Sequence, residues 1–238
     1  AVVVVWTLVA GSLVIKLDGT TVFRSRHLLR PGVLAAALAI LGAWPEGAAA
    51  SVQVFDGQGD EVPSQAGAIE NGRREVVFIA RAPSVGFSVY DVRPSESGCR
   101  LETGLRIDTA SLANRRYEVR LDLQGNIAAI RDVAAGRELL AAPAELQLLA
   151  DSPVDWAAWE VDYDDVMAPP RAVVGVPVRT RVVELGPARV TLEVVRETAG
   201  STFTQRIRLA AGGAGDRVEV DNDIDWRTKG TLLKAAFP

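Results

Sequence analysis

From Ser51 onward, apolar and polar residues alternate with a period of two, and small clusters of Gly, Asp, Asn, Pro and Ser interrupt the alternation. Successive side chains of a strand point to opposite faces, so this pattern predicts half-buried β-strands joined by turns. SVQVF is followed by the turn cluster DGQGD, and EVVFIA leads through Ala82, Pro83 and Ser84 to GFSVYDV. YEVRLDL, the tight turn Gln124-Gly125-Asn126 and IAAIRD read as a hairpin. ELLAAPAELQLLA has a helical look, but Pro143 in its middle would break a helix. PVRTRVVELG, ARVTLEVVRE, STFTQRIRLA and RVEVDNDIDW follow as long strands with Gly-containing connections. In the last of these, Val218, Val220, Ile224 and Trp226 share one parity and face a core, while Arg217, Glu219, Asp221, Asp223 and Asp225 share the other. The predicted fold class is all-β: an antiparallel β-sandwich preceded by a small β domain.

Residues 1–50 behave differently. An apolar run over residues 1–15 and a second over residues 33–44 flank Arg24, Arg26 and Arg30, with Asp18 and Glu46 the only acids. Both runs are shorter than the ~20 apolar residues that span a bilayer. Residues 26–50 have a basic start, a short apolar middle and small residues at the end, the anatomy of a signal peptide, but displaced from the N-terminus. A buried strand followed by a core helix or loop is the plainer reading. Localisation therefore stays open: cytoplasmic is favoured, and secretion follows only if residues 26–50 act as a signal. The expected organisation is an atypical segment at 1–50, a small β domain at 51–96, and a sandwich at 100–238 truncated at its C-terminus. The chain reads as a fragment, and its cut end as an unpaired strand edge prone to aggregation.

The 238 residues suffice for a real core, and nearly half are hydrophobic. A net charge of -4 gives neither nucleic acid nor an anionic membrane a reason to bind. His27 is the only histidine and Cys99 the only cysteine. A zinc hydrolase needs several such ligands and most nucleophilic triads need a His base, so the chain cannot build either. Residues 221–225 (DNDID) suggest calcium, but Trp226 and Leu232 stand where an EF-hand loop needs Gly and Glu. That stretch reads as a solvated strand face.

Sugar contact is the remaining chemistry. Asp162, Asp164 and Asp165, beside Tyr163, are candidates to hydrogen-bond sugar hydroxyls or hold a hard cation, although an acidic loop between strands explains them as well. Trp156 and Trp159 are candidates to stack on sugar C–H faces. On a strand, residues three apart point to opposite faces, so they form a platform only if their segment is a loop; core packing is the plainer reading.

Several segments, in order, resemble the C-terminal region of family 38 glycoside hydrolases, the α-mannosidases. VQVFDGQGDEVPSQ resembles the segment with a strand, a D-x-x-G turn and a V-P-x-Q end. VVFIARAPSVGFSVYDV resembles the following strand pair. In LANRRYEVRLDLQGNIAAIRDVAAGREL, Asn114, Tyr117, Gly125, Ile130, Asp132, Gly136, Arg137 and Glu138 match E-N-x-x-Y…G-x-I-x-x-I-x-D…G-R-E. DSPVDWAAWEVD resembles D-x-P-x-x-W-D-A-W-D-I-D, and FTQRIRL with DIDWRTKGTLLKAAFP resembles Q-x-I-x-L…V-D-W…L-L-K-V-A-F-P. The resemblance covers about residues 51–238. Ala157 and Ala113 replace acids of the pattern.

What the resemblance implies is a galactose-mutarotase-like supersandwich with a small β domain before it, packed on a catalytic domain whose partners are mannose-containing glycans. The zinc ion and the Asp nucleophile of such retaining enzymes belong to an N-terminal β/α domain, so no position here inherits a catalytic or metal-binding role. The chain on this reading is a structural, carbohydrate-contacting region, inactive alone. A free-standing carbohydrate-binding β module is the alternative. A mutarotase-type epimerase would share the sandwich but depends on His acid–base groups, and a lone His27 argues against it.

Overall fold

In the computed structural model of this chain, the backbone is described for strands at residues 2–9, 12–17, 20–25 and 34–40, and the chain throughout 51–70, 73–156 and 159–238. His27 and most of the signal-like segment lie outside the described residues. The chain divides into two units: residues 1–106, 184–190 and 209–217 form one, and residues 107–183, 191–208 and 218–238 the other. Among the described residues no helix is long and apolar enough to cross a membrane.

The first unit contains β1 (Val2–Val9), β2 (Ser12–Leu17), β3 (Thr20–Ser25), β4 (Leu34–Ile40), β5 (Ser51–Phe55), β6 (Glu61–Val62), β7 (Ser64–Glu70), β8 (Arg73–Arg81) and β9 (Val89–Ser95). They form two sheets, ordered β3-β2-β1-β9-β5-β6 and β4-β8-β7. β5 buries Val52 and Val54 and leaves their neighbours half-buried, the alternation read from the sequence. β8 is central in its sheet, and Val76, Val77, Phe78, Ile79 and Ala80 are all buried. A strand covered on both faces loses the alternation, which explains the unbroken apolar run. Tyr90 of β9 is buried against Phe78, with ring centroids 5.1 Å apart. Its hydroxyl donates to Arg81 O (2.9 Å) and accepts from Arg81 N (2.6 Å), so the ring enters the core with its polar tip satisfied.

Turns in this unit are held by side chains. Asp56 Oδ1 accepts from Gln58 N at 2.9 Å and Asp60 N at 3.0 Å, and Gly59 supplies φ +87°. The half-buried Gln65 does more. Its Oε1 accepts the backbone N–H groups of Ala188 (3.1 Å) and Arg189 (2.9 Å), residues over a hundred positions away. Position 186 has to be glycine, because a Cβ there would overlap the Gln65 side chain.

The second unit holds β10 (Arg106–Ile107), β11 (Ser111–Ala113), β12 (Tyr117–Leu121), β13 (Ile127–Asp132) and β14 (Arg137–Glu138) as one antiparallel meander. β15 (Glu145–Ala150) begins after Pro143, where the proline excludes a helix, and lies between β16 (Ala172–Val173) and β21 (Thr231–Ala236). β17 (Pro177–Leu185), β18 (Arg189–Thr198), β19 (Ser201–Ala210) and β20 (Glu219–Asp225) form a four-stranded sheet in that order. The single α-helix among the described residues, α1, is short: Tyr163–Met167. Leu146, Leu148, Val174 and Phe203 form a buried cluster with Ile224 and Leu233 packed against it. Each such side chain contributes about 1.5–3 kcal/mol when fully buried. The fold is thus all-β and antiparallel, of the β-sandwich class.

The polar residues of the meander act on its turns. Asn114 Oδ1 accepts from Arg116 N (2.8 Å) and Tyr117 N (2.7 Å), closing the β11–β12 turn. Asp132 accepts from Ala135 N (2.9 Å) and from Arg116 Nη2 (2.7 Å). The Gln124-Gly125-Asn126 turn joins β12 to β13 as read, with Gly125 at φ +75°. On β20, Asp221, Asp223 and Asp225 are exposed and Val220 and Ile224 half-buried, so the acidic stretch is a solvated strand face.

Replacing Gln65 by Ala orphans two N–H groups and should cost about 2–3 kcal/mol in urea unfolding. Gly186→Ala should cost at least as much. Gln58→Ala, at an exposed turn, should leave the midpoint unchanged and serves as control. Ala199 sits at φ +52° ahead of Gly200 (φ +80°) in the two-residue β18–β19 turn. Asn tolerates that left-handed conformation better, so Ala199→Asn should stabilise by about 0.5–1 kcal/mol; an unchanged or lower melting temperature would count against the turn as described.

Candidate functional site

The segment linking β15 to β16 carries every candidate sugar-contact residue. It runs as a loop and not as a strand. Trp156 has φ +55°, a conformation that costs an ordinary residue about 1–2 kcal/mol. Its carbonyl accepts the N–H groups of Trp159 (2.9 Å) and Glu160 (3.1 Å), which folds the chain into a tight turn. The two indoles therefore lie on the same side, stacked with centroids 5.9 Å apart and an interplanar angle of 15°. They are 67% and 77% exposed. Core packing, the plainer expectation for both, is not what the fold does with them.

Asp162 is the N-cap residue of α1, but its side chain makes no cap hydrogen bond. Asp164 and Asp165 occupy the first helical turn, where a carboxylate is favoured by the exposed N–H groups. Asp165 Oδ2 accepts from Ser152 N at 2.8 Å, tying the loop's start to the helix. Val154, Tyr163 and Met167 are also strongly exposed, so residues 154–167 display five large apolar side chains more than 60% exposed. A soluble monomer commonly scatters such residues singly, so their concentration in one segment is unusual. Among the described residues, no group of three or more His, Cys, Asp or Glu is placed to hold a metal ion.

The interior of the second unit holds polar chemistry that the alternation did not disclose. β18 is buried from Val190 to Arg196 without a break. On one face Glu193, 3% exposed, accepts from Arg181 Nε (2.8 Å), Arg206 Nε (3.2 Å) and Arg179 Nη2 (3.3 Å). Burial by itself would raise this carboxyl's pKa. The Arg181 hydrogen bond, with the charges of Arg181, Arg206 and Arg179, outweighs burial and holds it below its ordinary 4.5. On the other face Arg196, 1% exposed, donates from Nη1 to Asn126 Oδ1 (2.8 Å) and Gln124 O (3.4 Å), and from Nη2 to Gln205 Oε1. Sequence reasoning missed both. The available signal was cross-strand: arginines at 179, 181 and 206 on the two adjoining strands all reach Glu193, and opposite charges pair across a ladder.

Residues 112–238, more than half of the chain, match the family described as glycosyl hydrolases family 38 C-terminal domain. The chain belongs to that family. Asn114, Gly125, Asp132, Glu193 and Arg196 all lie within the matched span, and each serves a turn or a buried contact. The fold is also similar to that of an alpha-mannosidase from Enterococcus faecalis V583, with a TM-score of 0.59 and 10% sequence identity over 100% of this chain and 31% of that chain. The chain therefore spans about a third of the length of that structure. No curated protein matches the sequence significantly.

The folded-state pKa of Glu193 is depressed, so its stabilisation is fully present above about pH 4.5 and is lost as pH falls through the lowered value. Glu193→Gln should therefore cost about 2 kcal/mol at pH 7, and the gap to the wild-type urea midpoint should narrow below pH 4.5. A gap that stays constant down to pH 3 would show that the charge is not what matters.

Proposed function

We propose that this chain is the non-catalytic β region of an α-mannosidase that removes terminal α-mannosides, serving as a scaffold packed against the catalytic domain. The observation that carries this reading is the family match across residues 112–238, which contains the exposed aromatic loop. A packed scaffold needs apolar side chains to bury, and Val154, Trp156, Trp159, Tyr163 and Met167 of this segment are exposed and available for that. The zinc ion used by relatives has no fitting donors here: among the described residues none cluster as ligands, and the sequence has one His and one Cys. Zinc and the nucleophile come from the catalytic domain, and hydrolysis needs both parts.

The stacked indoles support a second role at the same loop. Flat exposed rings present the C–H-binding faces that sugars use, and the exposed or half-buried Asp162, Asp164 and Asp165 follow in the same loop and helix as candidate hydroxyl acceptors. A free-standing carbohydrate-binding module would use the same surface without a catalytic partner.

The purified chain should show no hydrolysis of an aryl α-mannoside above the buffer rate. Mixed with a separately produced family 38 catalytic domain, it should co-elute on size exclusion, and the double change Trp156→Ala, Trp159→Ala should weaken association about tenfold with an unchanged melting temperature. Hydrolysis by the chain alone at an enzymatic rate would sink the proposal. Saturable calorimetric heats with manno-oligosaccharides, and no co-elution, would favour the binding module instead.

A further inference from the structure

A cavity of about 220 Å3 opens in the second unit, lined by parts of β13, β15, β18, β19, β20 and β21. It is smaller than the roughly 300–1,000 Å3 of sites for drug-sized ligands, and suits a molecule of monosaccharide size. Arg196 lines it. This guanidinium is almost completely buried, and no carboxylate lies within ion-pair distance of it among the described residues. Its three neighbours, Asn126, Gln124 and Gln205, offer neutral oxygens only. Of five N–H donors, three are committed, and Nε has no partner. A buried cation without an ion-pair partner is costly. Burial lowers the Arg196 pKa, and the charge of Asp122 opposes this only through space.

The rest of the lining is equally specific. Asn126 and Gln205 line it with amides already bonded to Asp122, Arg196 and Asn222, so the Asn222 amide and the half-buried Glu145 carboxylate are the lining groups with capacity for hydroxyls. Gln205 Nε2 donates to Asn222 Oδ1 at 2.8 Å, which holds both side chains at the cavity and leaves the Asn222 NH2 group to donate. Phe237 and neighbouring aliphatic groups give the apolar wall on which a C–H face can rest. We propose that this cavity binds a sugar acid, a hydroxy-carboxylate of monosaccharide size, with Arg196 holding the carboxylate, and Asn222 and Glu145 its hydroxyls. The site is separate from the Trp156–Trp159 loop and does not rest on the mannosidase reading.

The test titrates the full 238-residue chain with sodium D-glucuronate, sodium acetate and D-mannose by calorimetry and thermal shift. Glucuronate should bind saturably and raise the melting temperature, with acetate and mannose at least about tenfold weaker, since each lacks one half of the recognition. Asn222 is exposed, so Asn222→Ala should leave the ligand-free melting temperature unchanged while weakening glucuronate about fivefold. Arg196→Met, if it folds, should abolish binding. Mannose as strong as glucuronate would assign the cavity to neutral sugars, acetate as strong would remove the sugar ring from recognition, and no saturation by any ligand, or an unchanged Asn222→Ala affinity, would overturn the site.

Discussion

Strand β18 is buried on both faces and carries a formal charge on each, and the second unit is organised around that constraint. Transfer of an unpaired charge from water to a protein interior costs several kcal/mol, so Glu193 and Arg196 each require compensation from neighbouring elements. Glu193 obtains it from three arginines on β17 and β19. Arg196 obtains only neutral oxygens, from the β12–β13 turn and from Gln205. The same turn is pressed close: a Cβ at Gly125 would lie 2.7 Å from Pro177 Cγ and 2.8 Å from Val194 Cγ1. Glycine at 125 thus permits both the backbone conformation of the hairpin and its approach to β18.

Polar residues of the family pattern prove to be fasteners. Gln65 ends the V-P-x-Q segment and holds two backbone N–H groups of the 188–189 region. Asn114 and Asp132 close turns of the meander. Ser201 Oγ, fully buried, accepts from Arg227 N (2.8 Å) and Thr228 N (3.1 Å), fixing the chain just after the D-I-D-W stretch. In a protein made of many short strands, each buried turn leaves backbone donors that a ladder cannot satisfy, and side-chain oxygens do it instead. Such residues look like catalytic polar groups in a sequence, yet their lone pairs are already occupied.

The aromatic loop obeys opposite rules. Its indoles, tyrosine and methionine gain nothing from the cores of either unit, and Trp156 is held in an unfavourable backbone conformation to stack on Trp159. Exposed apolar area combined with local backbone strain is the kind of departure from ordinary packing on which the proposed contact role of this loop rests. The interior polarity at Arg196 and the exterior apolarity at Trp156 are therefore both departures from ordinary burial, located in different parts of the same unit.

Strand alternation, the Gln124-Gly125-Asn126 hairpin, the halting effect of Pro143 and the solvated face of β20 were legible in the sequence, because each depends on near neighbours in the chain. So was membership of family 38, read from motif order and spacing and matched over residues 112–238. The stacking of Trp156 on Trp159 was not, since parity on a strand places them on opposite faces and only the turn at Trp156 reverses that. Nor could alternation reveal that Glu193 and Arg196 are buried. Burial of β18 on both faces comes from strands and turns distant in sequence, and local pattern records which residues share a face but not what covers it.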